Sequence, residues 1–153
     1  TVLQLNSHYK ISEELIDFRV SCHPQRLSYG KNIKNNIETP FIIPNLSKAI
    51  STNYPHTLYY DIELKQDEFL PKESYCILPN ALAVTYAIAI ASKNKNTKNI
   101  YLAGIDGYDN LNNKNSELNL TFQIIKTNIT CNIFSITPTA LNLEIKSIFS
   151  FEL

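Results

Sequence analysis

Residues 79–107, PNALAVTYAIAIASKNKNTKNIYLAGIDG, place an Ala-rich apolar run ahead of a short β-rich one, and that order decides the fold class. Segment 81–93 carries apolar side chains for about three turns and closes in a Lys/Asn cluster, which predicts a helix. Because it is apolar nearly all round, the helix should be buried. Segment 99–105 then predicts a buried strand that stops at Gly104-Ile-Asp106-Gly107.

Working outward toward the C-terminus, a polar stretch at 108–115 precedes segment 116–128. There Leu118, Phe122, Ile125 and Ile129 recur at helical spacing. Segment 131–136 reads as a last strand, and Thr137-Pro-Thr139 turns the chain. Toward the N-terminus, segments 2–6, 17–22, 39–43 and 58–64 read as strands. Between them lie a helical turn at 12–16 opened by Ser12, a helix at 24–29 with Pro24 in its first turn and Gly30 as its stop, and a turn at 45–50 capped by Asn45. Strands alternating with helices predict a single α/β domain over 1–153: a three-layer, mostly parallel, Rossmann-like sheet with helices on both faces. The chain contains no Met and opens directly on a strand, so we expect a piece of a longer protein that lacks its first strand-turn-helix element.

Composition narrows the function. Of 153 residues, 44% are hydrophobic and 18% charged, and 14 basic side chains balance 14 acidic ones. That balance argues against a disordered acidic tail and against a strongly basic nucleic-acid binder. Arg19 and Arg26 are the only arginines, so a bidentate grip on phosphate or carboxylate has few candidates. Cys22, Cys76 and Cys131 are odd in number and widely spaced, which speaks against a disulfide framework or a four-cysteine zinc site and points to a reducing, cytoplasmic setting. The longest apolar run, 81–91, is about half the length of a membrane-spanning helix, so no span is expected. Three Asn-x-Ser/Thr matches in a chain with 18 Asn carry no weight.

In open α/β sheets, ligands meet the carboxyl ends of strands. That rule selects Asn6-Ser-His8, Cys22-His-Pro-Gln-Arg26, Gly104-Ile-Asp-Gly-Tyr108 and Thr137-Pro-Thr139. The third segment holds two of the three glycines, which allow a tight turn, with Asp106 offering a carboxylate and Tyr108 a hydroxyl or a stacking face. Turn chemistry alone allows a plainer role, with Asp106 capping backbone amides. Neither the dinucleotide fingerprint nor the G-x-x-x-x-G-K phosphate loop is present. At 22–26, Arg26 is placed to hold an anion and His23 to act as acid or base, while strand alternation sends Cys22 and His23 to opposite faces. The plainer alternative buries Cys22 and ties His23 to backbone. His8, His23 and His56 lack metal-ligand spacing, so neither metal nor cofactor is expected. Asp67, Glu68 and Glu73 read as solvated surface. Tyr59 and Tyr60, adjacent on a strand, put one ring on each face.

Residues 17–26 (DFRVSCHPQR), 80–87 (NALAVTYA) and above all 100–108 (IYLAGIDGY) resemble the C-terminal domain of HMG-CoA lyase-like aldolase proteins encoded among bacterial surface-polysaccharide genes. A more distant similarity is to bacterial sialyltransferases and motility-associated glycosyltransferases, which carry a Gly-Ile-Asp-like turn at the matching strand end. The resemblance implies an aldolase barrel N-terminal to this segment, carrying the metal-dependent chemistry, and a nucleotide-sugar site near Asp106 and Tyr108. A Gly-Pro-Ser-like turn that precedes the first strand in such domains is absent from this sequence.

Three expectations follow. The first is a sugar- or nucleotide-sugar-binding domain in surface glycan biosynthesis, with Asn6, His23, Arg26, Asp106 and Tyr108 around the ligand. In the second, the domain is itself a glycosyltransferase, with His23 as general base. The third is a docking or homo-oligomerisation module that uses helix 81–91 as its packing face.

Overall fold

A computed structural model describes residues 1–5, 12–23, 39–45, 56–108 and 113–150. The expected helix at 24–29, the turn at 46–50 and the segment Asn6-Ser-His8 lie outside the described residues. The chain divides into two compact units, Thr1–Ile90 and Ala91–Leu153.

In the first unit, β1 (Leu3–Leu5), β2 (Phe18–Val20), β3 (Phe41–Ile43) and β4 (Thr57–Tyr59) form a four-stranded, wholly parallel sheet in that order. The strands are short runs of β-branched, aromatic and leucine side chains, interrupted by Gln4 in β1 and Arg19 in β2, and Val20 and Ile43 are fully buried. A second sheet has the order β5 (Asp61–Leu64), β7 (Tyr75–Leu78) and β6 (Leu70–Pro71), with β5 parallel and β6 antiparallel to β7.

The segment expected as one strand over 58–64 is therefore two, and the break is Tyr60. The Tyr60 backbone N–H donates to the Ile43 carbonyl, whereas the next N–H, of Asp61, donates to Ser74, so the ladder changes partner within one residue. Tyr60 points inward and Tyr59 outward, one ring on each face as the alternation requires.

Helix α1 (Ala83–Ser92) buries Ala83, Thr85, Tyr86, Ala87, Ile88 and Ala89, as its composition demands. Its entry is fixed by Asn80, whose Oδ1 accepts from the Thr85 hydroxyl at 2.9 Å and from the Leu82 N–H at 3.4 Å. The fully buried Tyr86 donates its hydroxyl to the Tyr60 carbonyl and stacks on the Tyr60 ring, centroids 6.0 Å apart. Tyr60 in turn donates to the Lys72 carbonyl at 2.9 Å. Burial pushes both phenols above their ordinary range, so both stay neutral donors.

In the second unit, β8 (Asn99–Leu102), α2 (Lys114–Asn128) and β9 (Asn132–Ser135) make a β-α-β unit, with β8 and β9 parallel over four pairs. β10 (Glu144–Ile145) adds to the far side of β9, again parallel. α2 begins two residues ahead of the expected 116 and buries Thr121, Phe122 and Ile125, while Leu118 and Ile129 are half-buried.

The molecule is thus an α/β protein with parallel sheets. Its α-helices among the described residues are α1 and α2. One expectation is corrected locally. Ser12 does not cap the turn that follows it, a single 3-10 turn at Glu13–Leu15: its hydroxyl donates to the Glu14 carboxylate instead. Asn45 spends its backbone N–H and side-chain amide on the two Asp61 carboxylate oxygens, at 2.6 and 2.8 Å.

Candidate functional site

Leu102 ends β8 and pairs with Ser135, which ends β9, so both strands deliver their following loops to the same end of the sheet. The Ile136 N–H donates to the Leu102 carbonyl and carries the ladder one step further. Beyond it the two loops are laced rung by rung. The Gly104 N–H donates to Thr137 Oγ1 at 2.9 Å, the Thr139 hydroxyl to the Ile105 carbonyl at 2.7 Å, and the Ala140 N–H to the Asp106 carbonyl at 2.8 Å. Ser135 Oγ donates to the Thr137 carbonyl at 2.7 Å and holds the second loop from below.

Gly104 and Gly107 have φ of +69° and +85°, the left-handed region that side chains disfavour. A Cβ on Gly104 would meet nothing within 4 Å. On Gly107 it would lie 3.0 Å from Asn115 Oδ1 and 3.4 Å from Ala140 Cβ and Leu141 Cδ2. Gly104 therefore answers to backbone conformation alone, and Gly107 to conformation and space.

The turn leaves Asp106 exposed. Only its backbone carbonyl takes part in the lacing, and its carboxylate makes no hydrogen bond or ion pair among the described residues. Amide capping by Asp106 is not what holds this turn; the threonine hydroxyls and the backbone do that. Two residues on, the Tyr108 backbone N–H donates to Asn115 Oδ1 at 2.7 Å, and Asn115 Nδ2 donates back to the Tyr108 carbonyl at 2.5 Å. The Tyr108 ring is 45% exposed, and the Lys114 ammonium stands 5.2 Å from its centroid. An unengaged carboxylate and a half-exposed aromatic ring on a braced turn suit a ligand carrying hydroxyls and a flat or ring-shaped face.

In comparisons with family models, curated proteins and solved structures, nothing matched this chain. The site thus stands on its geometry.

Asp106 and Tyr108 stand two residues apart in the chain after β8, in the second unit. His23 belongs to the first unit and is half-buried, next to Cys22, whose thiol is buried and donates to the Ala81 carbonyl at 3.1 Å. Asn6 and Arg26 lie outside the described residues. Among the described residues, no group of three or more His, Cys, Asp or Glu is arranged to hold a metal ion, and no helix is long and apolar enough to cross a membrane. None of the three cysteines forms a disulfide, and all three are buried. Burial, helped by Cys22 and Asp61, pushes the Cys76 thiol up to about 12, and burial raises Cys131 as well, so neither is a thiolate at neutral pH.

One cluster escaped the sequence reading. Arg19, 6% exposed, pairs in register with Gln4, so the two share a face of the first sheet. Its guanidinium donates to Gln4 Oε1 and to Glu13, and the other Glu13 carboxylate oxygen accepts from the Thr39 hydroxyl. Burial alone would raise the Glu13 carboxyl, but the Thr39 and Arg19 hydrogen bonds and the Arg19 charge outweigh it and hold the carboxyl below its ordinary value. The available signal was the rarity of arginine in this chain and its place in an otherwise apolar strand.

Proposed function

We propose that this chain is a sugar- or nucleotide-sugar-binding α/β domain whose ligand meets the loops after β8 and β9. Asp106 accepts hydrogen bonds from sugar hydroxyls, and Tyr108 lays its ring against the sugar or the base. The observation that carries this reading is the Asp106 carboxylate: exposed, with no protein partner among the described residues, and set in a turn whose backbone is braced from the neighbouring loop. A carboxylate carried on a braced backbone needs less reordering when a hydroxyl arrives than one on a loose loop. The wider setting is carried by the sequence resemblance at 100–108: attachment to an N-terminal aldolase barrel in bacterial surface glycan biosynthesis.

A thermal-shift screen against CMP-, UDP- and GDP-linked sugars and the free nucleotides tests the proposal. A ligand at about one hundred times its dissociation constant stabilises the fold by roughly 2.7 kcal/mol, which a melting curve resolves. A shift that Asp106→Asn abolishes in a folded protein supports the assignment. No shift with any of these compounds, or one that Asp106→Asn leaves intact, refutes it.

A further inference from the structure

Tyr108 lies in the connection between β8 and α2, where an exposed ring would ordinarily sample many orientations. Here its backbone is held at both polar groups by one side chain. The planar amide of Asn115 accepts from the Tyr108 N–H at 2.7 Å and donates to the Tyr108 carbonyl at 2.5 Å, the same two-bond exchange that joins a residue pair across a sheet. Asn115 is the second residue of α2, a fifteen-residue helix, so the clamp is anchored on a rigid element. The adjoining Gly107 fits the clamp, because its missing Cβ leaves room for the Asn115 oxygen. Lys114, one residue before Asn115, places its ammonium over the clamped ring.

We infer that Asn115 is the positioning residue of the candidate site, fixing the Tyr108 backbone so that the ring is set before a ligand arrives. The inference rests on the proposed sugar-binding role for its consequence, but the clamp itself can be read without any ligand. Asparagine is the side chain the geometry calls for, because it is short and carries one donor and one acceptor on the same plane. Aspartate keeps the acceptor for the Tyr108 N–H but sets a second acceptor against the Tyr108 carbonyl. Alanine supplies neither group.

The test compares the wild type with Asn115→Ala, Asn115→Asp, Tyr108→Ala and the Asn115→Ala/Tyr108→Ala double variant. Amide hydrogen exchange by NMR, without ligand, should show the Tyr108 amide losing its protection in Asn115→Ala and retaining part of it in Asn115→Asp. Unchanged exchange at Tyr108 in Asn115→Ala overturns the inference. With whichever CMP-, UDP- or GDP-linked sugar stabilises the wild type, Asn115→Ala should bind about 3–10-fold more weakly, and the same substitution should cost nothing further once Tyr108 is alanine. An equal loss in both backgrounds means that Asn115 does not act through Tyr108 and also overturns it. If the wild type binds none of these sugars, the proposed function falls, and exchange at Tyr108 alone decides the role of Asn115.

Discussion

Glu13→Ala removes the carboxylate that faces Arg19, a residue only 6% exposed. Breaking a fully buried ion pair from one side costs about 3–5 kcal/mol. The Glu13 side chain is 38% exposed, so water can reach the space that it vacates, and the expected loss falls to about 1–3 kcal/mol. With a urea dependence of about 1–3 kcal/mol per molar, a loss near 2 kcal/mol moves the unfolding midpoint down by about 1 M. Glu13→Gln keeps one oxygen acceptor, turns the other into an amide donor and carries no charge, and should fall between alanine and the wild type. Replacing both partners, as in Glu13→Leu/Arg19→Met, removes the buried charge and should return stability to within about 1 kcal/mol of the wild type.

The pH dependence follows from the direction of the Glu13 shift. Its carboxyl is held below the ordinary 4.5 in the folded chain, so its contribution is complete above that value and is lost as pH falls through the folded value. The wild type should therefore lose stability on acidification more steeply than Glu13→Gln in that window. Circular dichroism during urea unfolding at a series of pH values measures both effects. A Glu13→Ala midpoint within about 0.2 M of the wild type would refute the reasoning, because the guanidinium would then not depend on this carboxylate.

Other substitutions probe the remaining contacts. Gly107→Ala should destabilise by about 1–3 kcal/mol through its positive φ and the 3.0 Å approach to Asn115, whereas Gly104→Ala, with open space around it, should lose only the conformational part, about 1 kcal/mol; thermal melts of the two variants rank them. Tyr86→Phe strips the Tyr60 carbonyl of a buried donor and should lower stability by about 1–2 kcal/mol with little change in ring packing, as judged by denaturant titration. Cys76, its thiol raised to about 12, should resist iodoacetamide at pH 8 in the folded protein and react once urea unfolds it, which intact-mass spectrometry follows.

Much of the fold was legible because its signals are local. The apolar runs at Leu3, Val20, Ile42 and Ile133 and the Ala-rich helix need only their own composition to be recognised, and the structure places elements there. β7 was not legible: Tyr75-Cys-Ile-Leu78 is four residues wedged between the charged stretch at 65–73 and Pro79, too short to show a period. β10 is two residues long and takes its identity from pairing with β9, a non-local fact. For the candidate site, Asp106 and Tyr108 were readable from the glycines that frame a strand end. Asn115 was not, being one of 18 asparagines and meaningful only through the loop it grips. Arg19 stayed hidden for a similar reason: its partners come from positions 4, 13 and 39, and nothing in their spacing announces that they meet.

The partner change at Tyr60 has a mechanical meaning for the first unit. Residues 57–64 serve the four-stranded sheet with one half and the mixed sheet with the other, so neither sheet can fray past that point without pulling on the other. Tyr86 fastens α1 to the hinge residue itself. A load applied at β1 would thus reach β7 by way of Tyr60, the one residue among those described at which the two sheets share both chain and hydrogen-bond ladder.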